Sequence, residues 1–135
     1  MKFVDSSVLV AAAHENHPFF EASHRFLSRC RRENTGVAAH GAIETYSALT
    51  RMPKSLGFSA AEAAAYVARL VDTRLRPFTL SELEIMSLIA AAPDRGVSGG
   101  RIYDAIHART AKKAGASAIV TWNEKHFIGL EPSLK

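Results

Sequence analysis

The stretch Lys2-Phe3-Val4-Asp5-Ser6-Ser7-Val8-Leu9 decides the fold. Lys2-Phe3-Val4 reads as a short buried strand that stops at an acid. Ser6 to Ala13 then reads as a helix with Val8, Leu9 and Ala12 on one face. A strand that hands over to a helix at a carboxylate is the opening of an α/β unit, and the rest of the chain repeats the alternation. Pro18 suits the first turn of a second helix running to about Arg32. Gly36-Val37-Ala38-Ala39 is a second strand, and His40 to Met52 is a helix that Pro53 stops. Ser59-Ala60-Ala61-Glu62 is a capping box opening a helix to about Asp72. Leu75 to Phe78 is a third strand, and Ser81 or Thr79 caps the helix that ends before Pro93. After a glycine-containing loop, Arg101 to Ala114 is a helix ended by Gly115, and Ala118 to Thr121 is a strand. Gly129 to Leu134 is a candidate edge strand. The pattern predicts a three-layer α/β/α sandwich with a mainly parallel sheet, a single domain spanning 1–135.

In such a sheet the functional crevice lies beyond the carboxyl ends of the strands. Asp5 follows the first strand, and Asn123 follows the last. Asp104 opens the helix that feeds the last strand, and Glu44 lies early in the helix after the second. All four face one end of the sheet. Three carboxylates gathered there raise one another's pKa values unless a cation sits between them. Magnesium or manganese suits such oxygen ligands, lowers the pKa of a bound water and stabilises charge on a phosphoryl group. Taken singly, each acid has a plainer reading: Asp5 as a helix N-cap, Asp104 as a dipole partner, Glu44 as a solvated helix residue. Their joint placement carries the argument.

The balance of 17 Lys and Arg against 13 Asp and Glu leaves a net charge of +4, which favours a polyanion partner. Arg101 and Lys125 flank the acid segments and are candidates for phosphate contact, with Arg51 and Lys54 next. The single cysteine, Cys30, excludes an internal disulfide and a cysteine-based zinc site. No apolar run approaches the roughly 18 residues of a spanning helix, and no secretory signal opens the chain, so the expected compartment is the cytoplasm with no membrane partner. His14, His17 and His24 read as surface histidines rather than a zinc site. Trp122 and Tyr103 lie beside site residues and read as core packing before base stacking.

At these residues the chain resembles the PIN-domain family, and within it the VapC toxins of prokaryotic toxin–antitoxin pairs. Phe3-Val4-Asp5-Ser6-Ser7-Val8-Leu9 looks like the family's opening, His40-Gly41-Ala42-Ile43-Glu44 like its second segment. Tyr103-Asp104-Ala105-Ile106-His107-Ala108 and Ala118-Ile119-Val120-Thr121-Trp122-Asn123, with Phe127, look like its third and fourth. The resemblance implies a Mg²⁺- or Mn²⁺-dependent endoribonuclease. It carries over Asp5, Glu44 and Asp104 as acid-site and metal residues, Glu44 through water or by orienting the attacking water. Ser7 and Thr121 carry over as polar residues that position the acids. The family's fourth acid is replaced by Asn123, with His126 three residues on, unless Glu124 reaches in; one ion held by protein side chains is therefore expected. The resemblance also implies an RNA substrate, a VapB-like antitoxin laid over the site, and a homodimer. The alternative is a degenerate PIN module that binds RNA or protein without cleavage. A dehalogenase-like reading fails because Ser7 stands where its second acid would be needed, and a receiver-like one because neither an acid pair after the first strand nor a phosphoacceptor Asp near mid-chain is apparent.

Overall fold

Four strands, all parallel, form the sheet of a computed structural model that describes residues 1–53 and 55–134. The strands are β1 (Lys2–Val4), β2 (Thr35–Ala38), β3 (Arg76–Phe78) and β4 (Ala118–Val120), in the order β3-β2-β1-β4. The helices between them are α1 (Ser6–Ala13), α2 (Phe20–Arg29), α3 (Ala39–Arg51), α4 (Ala60–Thr73), α5 (Glu82–Ala91), α6 (Arg101–Lys113) and α7 (Glu124–Phe127). The chain steps outward from β1 to β3, then returns to the other side of β1 to lay down β4. That reversal makes the β1–β4 edge the switch point where a crevice opens.

Register explains the layers. Val4, Val37 and Val120 stand level across the sheet, as do Phe3, Gly36 and Ile119. Level residues in a parallel sheet point to one face, and adjacent residues to opposite faces. The valines join Val8, Leu9, Leu27 and Leu75 in one core under α1 and α2, with Leu70 of α4 packed against it. Phe3 joins Ala38 and Ala111 in another, with Ile119 packed against it under α6. Gly36 is required on this face: a Cβ there would lie 2.8 Å from the Phe3 ring.

Local signals set most boundaries. Asp5 caps α1, and Ser59–Glu62 and Ser81–Glu84 are complete capping boxes. Gly115, at φ +71°, ends α6.

Two expectations need correction. α2 spans Phe20–Arg29 rather than starting at Pro18 and reaching Arg32; a turn closed by Arg31 N–H on Asn34 Oδ1 ends it early. The segment Gly129 to Leu134 is a run of turns and not an edge strand. Gly129 takes φ +78°, Arg101 donates to the Ile128 carbonyl at 2.8 Å, and Arg95 donates to the Leu130 carbonyl. Side chains thus satisfy acceptors that a neighbouring strand would need. The short helix α7 is unforeseen. Lys54 lies outside the described residues. Among the described residues, no helix is long and apolar enough to cross a membrane.

Candidate functional site

Asp5, Glu44, Asp104 and Asn123 line one open cleft, together with Ser6, His40, Arg51 and Tyr103. The fold dictates the gathering. Asp5 leaves β1 at the level where the Val120 carbonyl accepts its backbone N–H at 3.0 Å, so the ends of β1 and β4 are locked side by side. α3 leaves β2 with Glu44 in its second turn, and α6 brings Asp104 in its first.

Asp5 is buried and firmly held. Its Oδ2 accepts the hydroxyl of Ser7 at 2.6 Å and that of Thr121 at 2.8 Å, with the Ser7 N–H at 3.4 Å. Each hydroxyl is itself oriented from behind. Ser7 Oγ accepts from Trp122 N–H at 3.0 Å, and Thr121 Oγ1 from Asn123 N–H at 2.9 Å. Since each hydroxyl has one proton, both protons go to Asp5, and the 3.3 Å between the two oxygens is contact without a shared hydrogen. Oδ1 has only Ser6 Oγ near it, at 3.5 Å, and is the oxygen left for the cleft.

Glu44 is surrounded by donors. Its Oε2 accepts from Ser6 Oγ at 3.0 Å and faces His107 Nε2 at 3.0 Å; its Oε1 lies 3.2 Å from His40 Nε2. Burial works to raise its pKa, but His107, by hydrogen bond and charge, with Ser6 and His40, outweighs it and holds the carboxyl below its usual range. Asp104 goes the other way. Burial pushes its pKa up, and the Asp5 carboxylate adds to the rise against the pull of His126, whose Nδ1 lies 3.5 Å away. The two acids therefore form an undercompensated like-charged pair. Oxygen donors placed this way fit a hard divalent cation, whose charge would offset the burial and the Asp5 carboxylate that together raise Asp104.

The remaining positions divide. Arg51 lines the cleft, whereas the Arg101 guanidinium is committed to the Ile128 carbonyl and Lys125 is exposed on α7 away from the cleft lining. Glu124 lines a neighbouring hollow with Thr121 and Phe127 and leaves the fourth-acid place to Asn123. Trp122 and Tyr103 are not core residues, as expected from sequence, but exposed platforms. Trp122 stacks on Phe19 at 4.0 Å between ring centres and donates Nε1–H to Ser23, and Tyr103 stacks on His40 at 5.2 Å. Among the described residues His14, His17 and His24 form no metal-ligand group. The sequence reading singles out neither Ser6, His40 nor His107. Their signal was there in spacing: His40 stands four residues before Glu44 and His107 three after Asp104, each pair on one helical face.

Comparison with known proteins matches residues 2–128 to the PIN domain model. The chain is 35% identical over 115 residues to Ribonuclease VapC40 of Mycobacterium tuberculosis, covering 85% of this chain and 81% of that protein. Its fold is similar to the crystal structure of M. tuberculosis VapC20, a sarcin-ricin loop cleaving toxin, with TM-score 0.75 at 17% identity over 93% of this chain and 92% of that one. It is similar also to VapBC2 from Rickettsia felis bound to a fragment of promoter DNA, with TM-score 0.65 at 16% identity, covering 99% and 96%.

Proposed function

The chain belongs to the PIN-domain family, and from that premise we propose that it is a metal-dependent endoribonuclease of VapC type, hydrolysing RNA phosphodiester bonds and neutralised by a VapB-like antitoxin. The observation that carries this reading is the cleft shared by Asp5, Glu44 and Asp104 at the carboxyl ends of the strands. Its 35% identity to a named ribonuclease supports the same chemistry.

A bound Mg²⁺ or Mn²⁺ supplies an acidified water and charge stabilisation on the phosphoryl oxygens. Asp5, through Oδ1, and the Asp104 carboxylate would hold the ion directly. Glu44, its oxygens already occupied by Ser6, His107 and His40, acts at one remove, holding or orienting the attacking water. Ser7 and Thr121 keep Asp5 in one rotamer. Asn123 offers a neutral amide where another acid would be needed for a second ion, so one ion held by side chains is the expected complement. Arg51 steadies the phosphate backbone at the cleft wall. We extend the nuclease domain over the whole of 1–135, beyond the matched 2–128. Leu130 is buried in the core beneath α6, and Glu131 is buried against Lys112 at 2.9 Å. A homodimer and a cytoplasmic setting belong to the same reading, where RNA and antitoxin are both at hand.

The test is incubation of antitoxin-free protein with structured cellular RNA in Mg²⁺, in Mn²⁺ and in chelator, beside Asp5→Asn. Discrete cuts that need both metal and Asp5 are expected. RNA binding with no cuts in either metal would favour the second reading, a binding module that lost cleavage with its fourth acid, for which Asn123 is the specific observation.

A further inference from the structure

Glu44 is flanked by two imidazoles whose nitrogens both aim at it. His107 Nε2 lies 3.0 Å from Oε2 and His40 Nε2 lies 3.2 Å from Oε1. One donor atom from each of the three residues lies within 4.8 Å of the others. The rings are set before any ligand arrives. His107 is 2% exposed and seated against Gly41, where a Cβ would come within 2.7 Å of its Cε1. His40 is stacked on Tyr103, and the two imidazoles meet edge to face at 72°. His40 and Glu44 also line the open cleft, which gives an ion a path in and a free position for water.

Two imidazoles and one carboxylate are a poor set for Mg²⁺, which takes oxygen, and a good one for borderline ions, which take nitrogen and oxygen at tetrahedral sites with one position open. We propose that His40, Glu44 and His107 form a binding site for a divalent transition-metal ion of the zinc class, separate in ligand chemistry from the hard-ion site at Asp5 and Asp104. The site stands independently of the nuclease reading, because it needs only the three side chains. Among the described residues His107 Nδ1 has no hydrogen-bond partner. With Nε2 as the ligand, Nδ1 finds no acceptor there, so the site lacks the outer support that strong zinc sites have. Its affinity is expected to sit about 10–100-fold below a fully supported one.

Co²⁺ tests this directly, because its visible absorption is intense with four ligands including imidazole and faint with six oxygens. Metal-stripped protein titrated with Co²⁺ should develop the intense spectrum, which Zn²⁺ abolishes and excess Mg²⁺ leaves in place. His40→Ala, at a half-exposed position that spares the core, should weaken Co²⁺ binding at least about 10-fold, and His107→Gln likewise wherever circular dichroism shows it folded. Asp5→Asn combined with Asp104→Asn should keep the spectrum while losing any RNA cleavage. A faint spectrum, or one that survives His40→Ala and disappears in the double Asn variant, overturns the proposal. Absence of RNA cleavage in the wild type would count against the nuclease reading alone.

Discussion

Thr121 Oγ1 donates to Asp5 Oδ2 at 2.8 Å, from the end of one strand to the end of its neighbour. With the Ser7 hydroxyl on the same oxygen, the bond decides which oxygen of Asp5 is spent on the protein and which faces the cleft. Thr121→Val keeps the shape and removes the donor. It should lower RNA cleavage, or the affinity for Mn²⁺ measured by calorimetry, by about 10–100-fold, and Thr121→Ser should restore most of it. Equal loss in both variants would reduce Thr121 to a packing residue.

In the cleft the Asp104 carboxyl is pushed up by burial and further by the Asp5 carboxylate. Asp104→Asn should therefore abolish cleavage and yet stabilise the metal-free protein, by roughly 0.5–1 kcal/mol, as relief of a strained site commonly does. Thermal unfolding in chelator reads this, and a lower melting temperature for Asp104→Asn would refute it. Adding Mn²⁺ should reverse the ranking, since only the wild type gains binding energy in the folded state.

The pH dependence follows from the opposite shifts of Asp104 and Glu44. As pH falls, Asp104 takes up its proton earlier than an ordinary aspartate, while Glu44 keeps its charge. The ion thus loses a ligand on the acid side before the fold loses Glu44. The signs for stability differ. A raised folded-state pKa means the folded form binds the proton more tightly, so the metal-free fold gains stability as pH drops through the Asp104 value. The contribution of Glu44, present above its unfolded value, is lost only as pH falls through its depressed folded one. Calorimetric Mn²⁺ titration across mildly acid pH should show affinity falling toward acid. In Asp104→Asn any residual binding should lose this steepness.

Gly41 shows how tightly the helices α3 and α6 meet. Replacing a helical glycine by alanine normally stabilises by about 0.5–1 kcal/mol. Here the new Cβ would lie 2.7 Å from His107 Cε1, and His107 is fully enclosed. Gly41→Ala should instead cost about 1–3 kcal/mol in denaturant unfolding. In a His107→Ala background the same change should revert to its usual sign, a coupling that a double-mutant cycle measures.

The arginines make a contrast. Arg51 lines the cleft, while Arg101 ties α6 to the Ile128 carbonyl. Arg51→Ala should weaken RNA binding and reduce its salt slope by about one, the signature of one lost phosphate contact. Arg101→Ala should leave that slope unchanged and lower stability by about 1 kcal/mol.

Much of this was legible from residue order. Asp5 and Glu44 could be assigned to one end of the sheet because a parallel α/β chain puts every strand-to-helix turn there, and Asp104 because a helix that feeds a strand starts at that same end. Ser7 and Thr121 came from the resemblance to the PIN-domain family, as polar residues that position the acids or a phosphate. What stayed hidden depends on rotation about helix axes. Spacing puts His107 on the Asp104 face of α6, but that it reaches across to Glu44 of α3, and that Arg101 turns toward the Ile128 carbonyl, is set by how α6 packs. In the tail the turns were signalled by Gly129, Pro132 and Ser133, while an edge strand had only Leu130 and Leu134 in its favour.

The order in which the chain is made gives the Thr121–Asp5 bond one more meaning. The two residues are 116 positions apart, and β4 is the last of the described strands in chain order. The first acid written is thus the last to be aimed. Until β4 is in place, Asp5 has neither the Thr121 hydroxyl nor the Val120 carbonyl to orient it. Closing the sheet is therefore an arming step, and for a protein that would cut RNA it withholds the blade until the fourth strand has joined the first.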